Sequence, residues 1–198
     1  MFTFGVFASG GGSNFKAILS HANDGSLGGA CRFLVTNNAS CGAVKIAEEQ
    51  GIPVFHISSK THPDKRDYEK ALLQVVQKFP VDFVALCGFM KRIPDSFLQT
   101  MENRILNVHP SLLPKYGGAG FFGIHVHEAV LAAKEKESGA TIHLVSSQYD
   151  SGRILAQVKV PVMPSDSPEE LAKRVLVQEH LLFWKTLKDY AENFSSAK

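Results

Sequence analysis

From Phe2 to Val108 strand-like and helix-like segments alternate without interruption, and that alternation leaves few folds open to the chain. Phe2 to Ala8 is an apolar run of strand length, Ser9 to Ser13 is a glycine-rich turn, and Asn14 to Ala22 carries Phe15, Ile18 and Leu19 at helical spacing. Cys31 to Val35 and Val54 to Ile57 read as strands, separated by a helix from Gly42 to Gln50 that Gly51 stops. A longer amphipathic helix, Asp64 to Lys78, turns Tyr68, Leu72, Val75 and Val76 inward. Val81 to Cys87 is a fourth strand, Ile93-Pro94 opens a short helix to Met101, and Arg104 to Val108 is a fifth strand. Parallel neighbours need a return path across a face of the sheet, so the pattern predicts an α/β fold with a doubly wound, mostly parallel sheet. Ligands of such sheets gather at the carboxyl ends of the strands.

The remainder departs from that alternation. A helix is expected over His127 to Lys136, and then Ala140 to Ser147 and Arg153 to Val160 alternate apolar and polar residues around Gln148 to Gly152, which predicts C-terminal antiparallel strands. A long helix from Glu169 to about Tyr190 follows, with Ser167 as its N-cap and Ser195 to Lys198 as a frayed tail. At 198 residues the chain reads as one domain, 1–198. A net charge of +2 is too mild for a nucleic-acid binder. Cys31, Cys41 and Cys87 are too scattered for a disulfide framework or a zinc knuckle, and no run has the length of a membrane span or the form of a signal peptide. The expectation is a cytoplasmic protein.

Asn107 and His109 stand where the fifth strand ends, and residues i and i+2 of a strand project to the same face. An amide and an imidazole would thus enter one pocket, with Pro110 and Pro114 stiffening the chain that leaves. Taken alone, the pair also fits a strand end with an ordinary buried histidine. Ser9 to Asn14 lacks a dinucleotide fingerprint: Phe15 occupies the third glycine position, and the second strand ends in Thr36-Asn37 without an acidic residue. What remains is either an anion site, with open backbone and helix N-H groups, or a glycine connection capped by Ser13. Tyr149 to Gly152 is a turn by composition, and Gln178-Glu179-His180 a solvated turn of helix. His125, His127 and Glu128 lack a convincing third metal ligand. Gly117 to Gly123 is a glycine loop carrying Phe121 and Phe122, and Gly88 to Arg92 offers an apolar edge for a flat heterocycle.

Together, Ser9 to Asn14, Gly88-Phe89-Met90, Asn107 to Tyr116, Asp150-Ser151-Gly152 and Gln178-Glu179-His180 resemble the folate-dependent phosphoribosylglycinamide formyltransferases, in order and spacing over nearly the whole chain. The resemblance implies the Rossmann-like formyltransferase fold, 10-formyltetrahydrofolate as co-substrate and glycinamide ribonucleotide as acceptor in purine synthesis, without a metal. It implies Asn107, His109 and Asp150 as catalytic residues, with His143 in support. Gly12, Ser13, Asn14 and Glu179 would bind the acceptor, and Met90, Lys91 and Ile93 would line the folate pocket. It further implies a nucleotide-phosphate-binding half, 1–105, a catalytic and folate-binding half, 106–198, and a monomer or homodimer with neither nucleic acid nor membrane as partner. Leu176 replaces a polar residue, Gly117 to Ile124 is longer than the usual connection, and Lys91-Arg92 replaces Arg-Ile. Rival readings are a formyltetrahydrofolate hydrolase, a formyltransferase with another amine acceptor, and a silent folate- or nucleotide-binding protein. The expected single domain, without the added domains of the transfer-RNA and hydrolase enzymes, favours the purine reading.

Overall fold

The computed structural model describes residues 1–196. Its elements run β1 (Phe2–Phe7), α1 (Ser13–Asn23), β2 (Gly29–Thr36), α2 (Gly42–Glu49), β3 (Val54–His56), α3 (Lys65–Lys78), β4 (Phe83–Leu86), α4 (Asp95–Thr100), β5 (Ile105–His109), α5 (Ile124–Ala132), β6 (Glu137–Leu144), β7 (Ile154–Pro161) and α6 (Pro168–Ser196). The sheet order is β3-β2-β1-β4-β5-β6-β7. The first five strands are parallel, whereas β6 lies antiparallel to β5 and β7 antiparallel to β6. The chain therefore winds outward on one side of β1 and then reverses through β4, which opens a crevice between the carboxyl ends of β1 and β4. There the Ser9 amide donates to the Gly88 carbonyl at 3.1 Å.

β1 explains why both faces are covered. Phe4 and Val6 point into a core shared with Phe15 and Ile18 of α1 and Phe183 and Leu187 of α6, while Phe7 points into a second core with Phe33, Leu72, Val75 and Phe97. A strand buried on both faces needs a continuous apolar run, as this one has. α3 starts at the Asp64 cap, whose carboxylate accepts from the Arg66 and Asp67 amides. At the start of α6, the Glu170 amide donates to Ser167 Oγ at 3.2 Å and the Ser167 amide to Glu170 Oε2 at 2.7 Å, a reciprocal capping box.

The boundaries of three elements differ most from expectation. α5 begins at Ile124 and ends at Ala132, not over His127 to Lys136, because Lys134 adopts φ 53° and breaks the helical path. β6 begins at Glu137, where its ladder with β7 already includes Ser138 opposite Val160 and a Lys159 Nζ to Glu137 Oε2 contact of 2.8 Å. α6 runs on to Ser196, held by Tyr190 and Phe194 against Phe83, so Ser195 and Ser196 are helical; Ala197 and Lys198 lie outside the described residues. Among the described residues no helix is long and apolar enough to cross a membrane.

Candidate active site

β5 delivers Asn107 and His109 to one cavity of about 690 Å³. β6 delivers a third group, since His143 lies directly opposite Asn107 in the antiparallel ladder, where facing side chains meet. The His143 Nδ1 is 2.9 Å from the Leu144 carbonyl, which can only accept, so this nitrogen carries the proton. In the neutral ring Nε2 then accepts, and it takes a hydrogen bond of 3.0 Å from Asn107 Nδ2. His143 thus fixes which way the Asn107 amide faces.

His109 is arranged the other way round. Its Nε2 donates to the Tyr116 carbonyl at 2.7 Å, and its Nδ1 stands 3.5 Å from Asp150 Oδ2. A neutral ring would turn a lone pair toward the carboxylate, so the Asp150 contact favours the imidazolium. Burial outweighs it, and the net effect holds the His109 pKa below the ordinary imidazole value. Asp150 also sits 3.5 Å from His143 Nε2 and accepts the Gly118 amide at 2.9 Å. Burial is the largest influence on this carboxyl and raises its pKa. His143 when its ring is protonated at both nitrogens, His109 and the Gly118 N-H together exceed it and leave the group below the usual carboxylate range. Asp150 keeps a backbone φ of 53°, uncommon for a non-glycine residue, inside the β6-β7 connection. Gly152 anchors that connection: a Cβ there would lie 1.7 Å from the Leu144 carbonyl oxygen.

The opposite wall is made by α1 and α6, two helices that lie side by side and run in the same direction. Asn14 meets Glu179, His21 stacks on Trp184 at 3.9 Å, and Ser26 receives Lys188 Nζ at 3.0 Å. Glu179 is 7% exposed, not part of a solvated turn, because Asn14 Nδ2 donates to its Oε2 at 2.7 Å. Burial raises the Glu179 pKa, and the Asn14 bond offsets part of that rise. Asn14 Oδ1 is buried without a partner.

Not every expected site residue faces the cavity. Asn14 lines it, but Gly12 and Ser13 do not. Gly12 caps α1 at φ 77° with the Ala43 Cα only 2.9 Å from where its Cβ would be, so close approach of α2 already accounts for that glycine. Ser13 is exposed and supplies no cap, contrary to the capped-connection reading. Met90, Lys91 and Ile93 all line the cavity; Ile93 is buried in the adjoining core and Met90 is 55% exposed. The Met90 amide donates to Ser9 Oγ at 2.8 Å, and Ser9 Oγ donates in turn to Asn37 Oδ1. Leu176 lines the same wall as Glu179, and Gly118 to Ile124 form the rim, with Phe121 edge-on to Tyr116 and Phe122 edge-on to His125. The cavity thus draws on both halves of the chain, 1–105 and 106–198. His125 and His127 do not converge: His125 contacts Glu128 at the surface, whereas His127 is buried at the cavity.

Sequence reasoning passed over three participants. The Tyr116 carbonyl and the Gly118 amide are backbone groups and carry no residue signature. His127 was hidden by its neighbours; its position inside an apolar helical stretch was the available signal, and burial together with nearby His109 lowers its pKa.

A model of the formyl transferase family matches residues 3–187. The chain belongs to the formyl transferase family. Among its relatives, the chloroplastic phosphoribosylglycinamide formyltransferase of Arabidopsis thaliana is 49% identical over 179 residues, covering 90% of this chain and 61% of the relative. The chain therefore spans about three-fifths of that plant protein's length. The phosphoribosylglycinamide formyltransferase of Escherichia coli K12 is 31% identical over 187 residues, 94% of this chain and 86% of the relative. The crystal structure of glycinamide ribonucleotide transformylase 1 from Symbiobacterium toebii superposes with a TM-score of 0.91 at 32% identity, covering 98% of this chain and 89% of that one. The seven-stranded sheet, with its antiparallel C-terminal strands and closing helix, is the fold of this formyl transferase.

Proposed function

We propose that this chain transfers the formyl group of 10-formyltetrahydrofolate to the amine of glycinamide ribonucleotide, a step of purine synthesis. The observation that carries the reading is the convergence of Asn107, His109, His143 and Asp150 in one cavity at the end of β5. The Arabidopsis and E. coli relatives bear the name of this activity. The apolar side of the cavity, with Leu86, Phe89, Met90, Ile93 and Val145, suits a flat heterocycle such as the folate ring.

In this mechanism the acceptor amine attacks the formyl carbon directly, and the carbonyl oxygen becomes an oxyanion. Asn107 has a second N-H beyond the one given to His143, and it donates to that oxygen. His109 joins it through Nε2 once the Tyr116 carbonyl withdraws, a change at the start of the Gly117 to Ile124 loop. As the new C-N bond forms, the attacking nitrogen gives up a proton. Asp150, ionised at neutral pH, accepts it, and a proton passes to N10 of the folate as the old C-N bond breaks. Glu179 and Asn14, buried at the cavity wall, carry oxygen acceptors suited to the hydroxyls of a ribose. The backbone N-H groups at the start of α1, which no side chain caps, would take the acceptor phosphate at the edge of the cavity, beside Asn14.

The test is the rate of tetrahydrofolate formation with and without glycinamide ribonucleotide. Release that depends on the acceptor is expected. Equal release without it would identify a hydrolase, and no release despite folate binding would identify a silent binding protein.

A further inference from the structure

Three long-chain cations line the cavity: Lys91, Arg92 and Lys173. Arg92 is engaged, donating to Asp95 Oδ1 at 3.0 Å and to the Ser147 carbonyl at 3.4 Å. Lys91 lies on the wall that leaves β4, beside Met90 and Ile93. Lys173 stands on α6 with Ala172, Leu176 and Glu179, is exposed, and has no hydrogen bond or ion pair among the described residues.

The parallel course of α1 and α6 locates it further. Asn14 is level with Glu179, and six residues of helix separate Glu179 from Lys173, about 9 Å of rise toward the start of α6. That rise sets Lys173 axially beyond the N-terminus of α1 and about 120° round α6 from Glu179, so its long side chain must extend along the cavity wall to meet an anion on the first N-H groups of that helix. The first turn of α1 has no side-chain cap, and one of the two Asn14 amide N-H groups is held by Glu179. The unpartnered oxygen of Asn14 and the carboxylate of Glu179 are acceptors, which suit hydroxyls and repel a phosphate. Leu176, one turn from Lys173, offers no polar group.

We propose that Lys173 is the specificity-determining cation of this chain, pairing with the phosphate of the acceptor while Asn14 and Glu179 take its sugar hydroxyls. The assignment rests on the acceptor reading given above. It divides the wall into a phosphate end and a sugar end, and it makes Lys173 the counter-charge missing from the glycine turn.

Calorimetric binding of ribose 5-phosphate and of ribose tests it on the purified chain, independently of turnover. Lys173→Ala is expected to weaken ribose 5-phosphate binding about tenfold, the usual scale for one charge-assisted contact. Lys173→Arg should restore it, and ribose binding should be unchanged in both. With substrates, Lys173→Ala should raise the acceptor KM by a similar factor and leave kcat and the donor KM within twofold. Unchanged affinity for ribose 5-phosphate in Lys173→Ala, or an equal loss for ribose, overturns the proposal. Loss of ribose 5-phosphate binding in Lys173→Ala, with no formylation of glycinamide ribonucleotide by the wild type, would uphold Lys173 as a phosphate site and sink the acceptor reading.

Discussion

The two walls of the cavity are built on opposite terms. At the end of β5, Asn107 is braced by His143, and His109 and Asp150 are held by each other and by backbone groups of residues 116 and 118. Across the cavity, Asn14 keeps one oxygen without a partner, Lys173 is unpaired among the described residues, and the first turn of α1 has no side-chain cap. The difference teaches where orientation is needed and where affinity is. Reacting groups must already be aimed when the transition state forms, so their neighbours hold them. Groups that bind a substrate gain most when the ligand supplies the missing partner.

The sharpest break of this comparison is expected at the braced wall. Asn107→Ala, and separately Asp150→Asn, should lower kcat by about 10²–10³-fold, the scale for losing one transition-state donor or proton acceptor. Circular dichroism and melting should remain near wild type, and a kcat within threefold would remove either residue from the chemistry. Next comes Gly152→Ala, whose Cβ must displace the Leu144 carbonyl 1.7 Å away. It should cost about 3 kcal/mol of stability by overpacking and also drag Asp150 out of place, so urea melts and turnover fall together.

A smaller effect is expected on the open wall. Asn14→Ala should raise the acceptor KM about tenfold with little change in kcat, and should push the Glu179 pKa up further by removing the bond that lowers it. A kcat loss without a KM change would place Asn14 in the chemistry and merge the two walls.

The smallest expected effect is on the pH dependence of stability. His109, His127 and His180 all have pKa values lowered chiefly by burial. Below about pH 6.5 the unfolded chain therefore takes up protons that the native state refuses, and stability falls as pH drops through that window. Glu179, with a raised pKa, acts oppositely: its contribution is full below about pH 4.3 and is lost as pH rises through its folded value. Asp150 adds stability that disappears only as pH falls below about 3.9. Melting temperatures from pH 7.5 down to 5.5 should fall, and His127→Gln should flatten that slope. A slope unaltered by the substitution would assign the acid sensitivity elsewhere.

The parallel strands and the joint direction of Asn107 and His109 were legible in the sequence because strand periodicity acts over a few residues. Asp150 was legible only through family resemblance; its own tetrad spells a turn, and the structure makes it both a turn residue at φ 53° and a partner of two histidines. Glu179 was misread by local composition, since its burial depends on Asn14, 165 residues away. The start of α5 was missed for a related reason: Gly123, at φ 55°, marks the end of the glycine loop and allows a helix to begin at Ile124. What eluded the sequence is set by packing between distant segments or by backbone groups that every residue possesses.

The division between the walls is tested most directly by single-turnover formyl transfer in Asp150→Asn, measured alongside the equilibrium affinity of the same protein for glycinamide ribonucleotide. A transfer rate reduced at least a hundredfold, with acceptor affinity within twofold of wild type, is the predicted result. An unchanged transfer rate with weakened acceptor binding would contradict it.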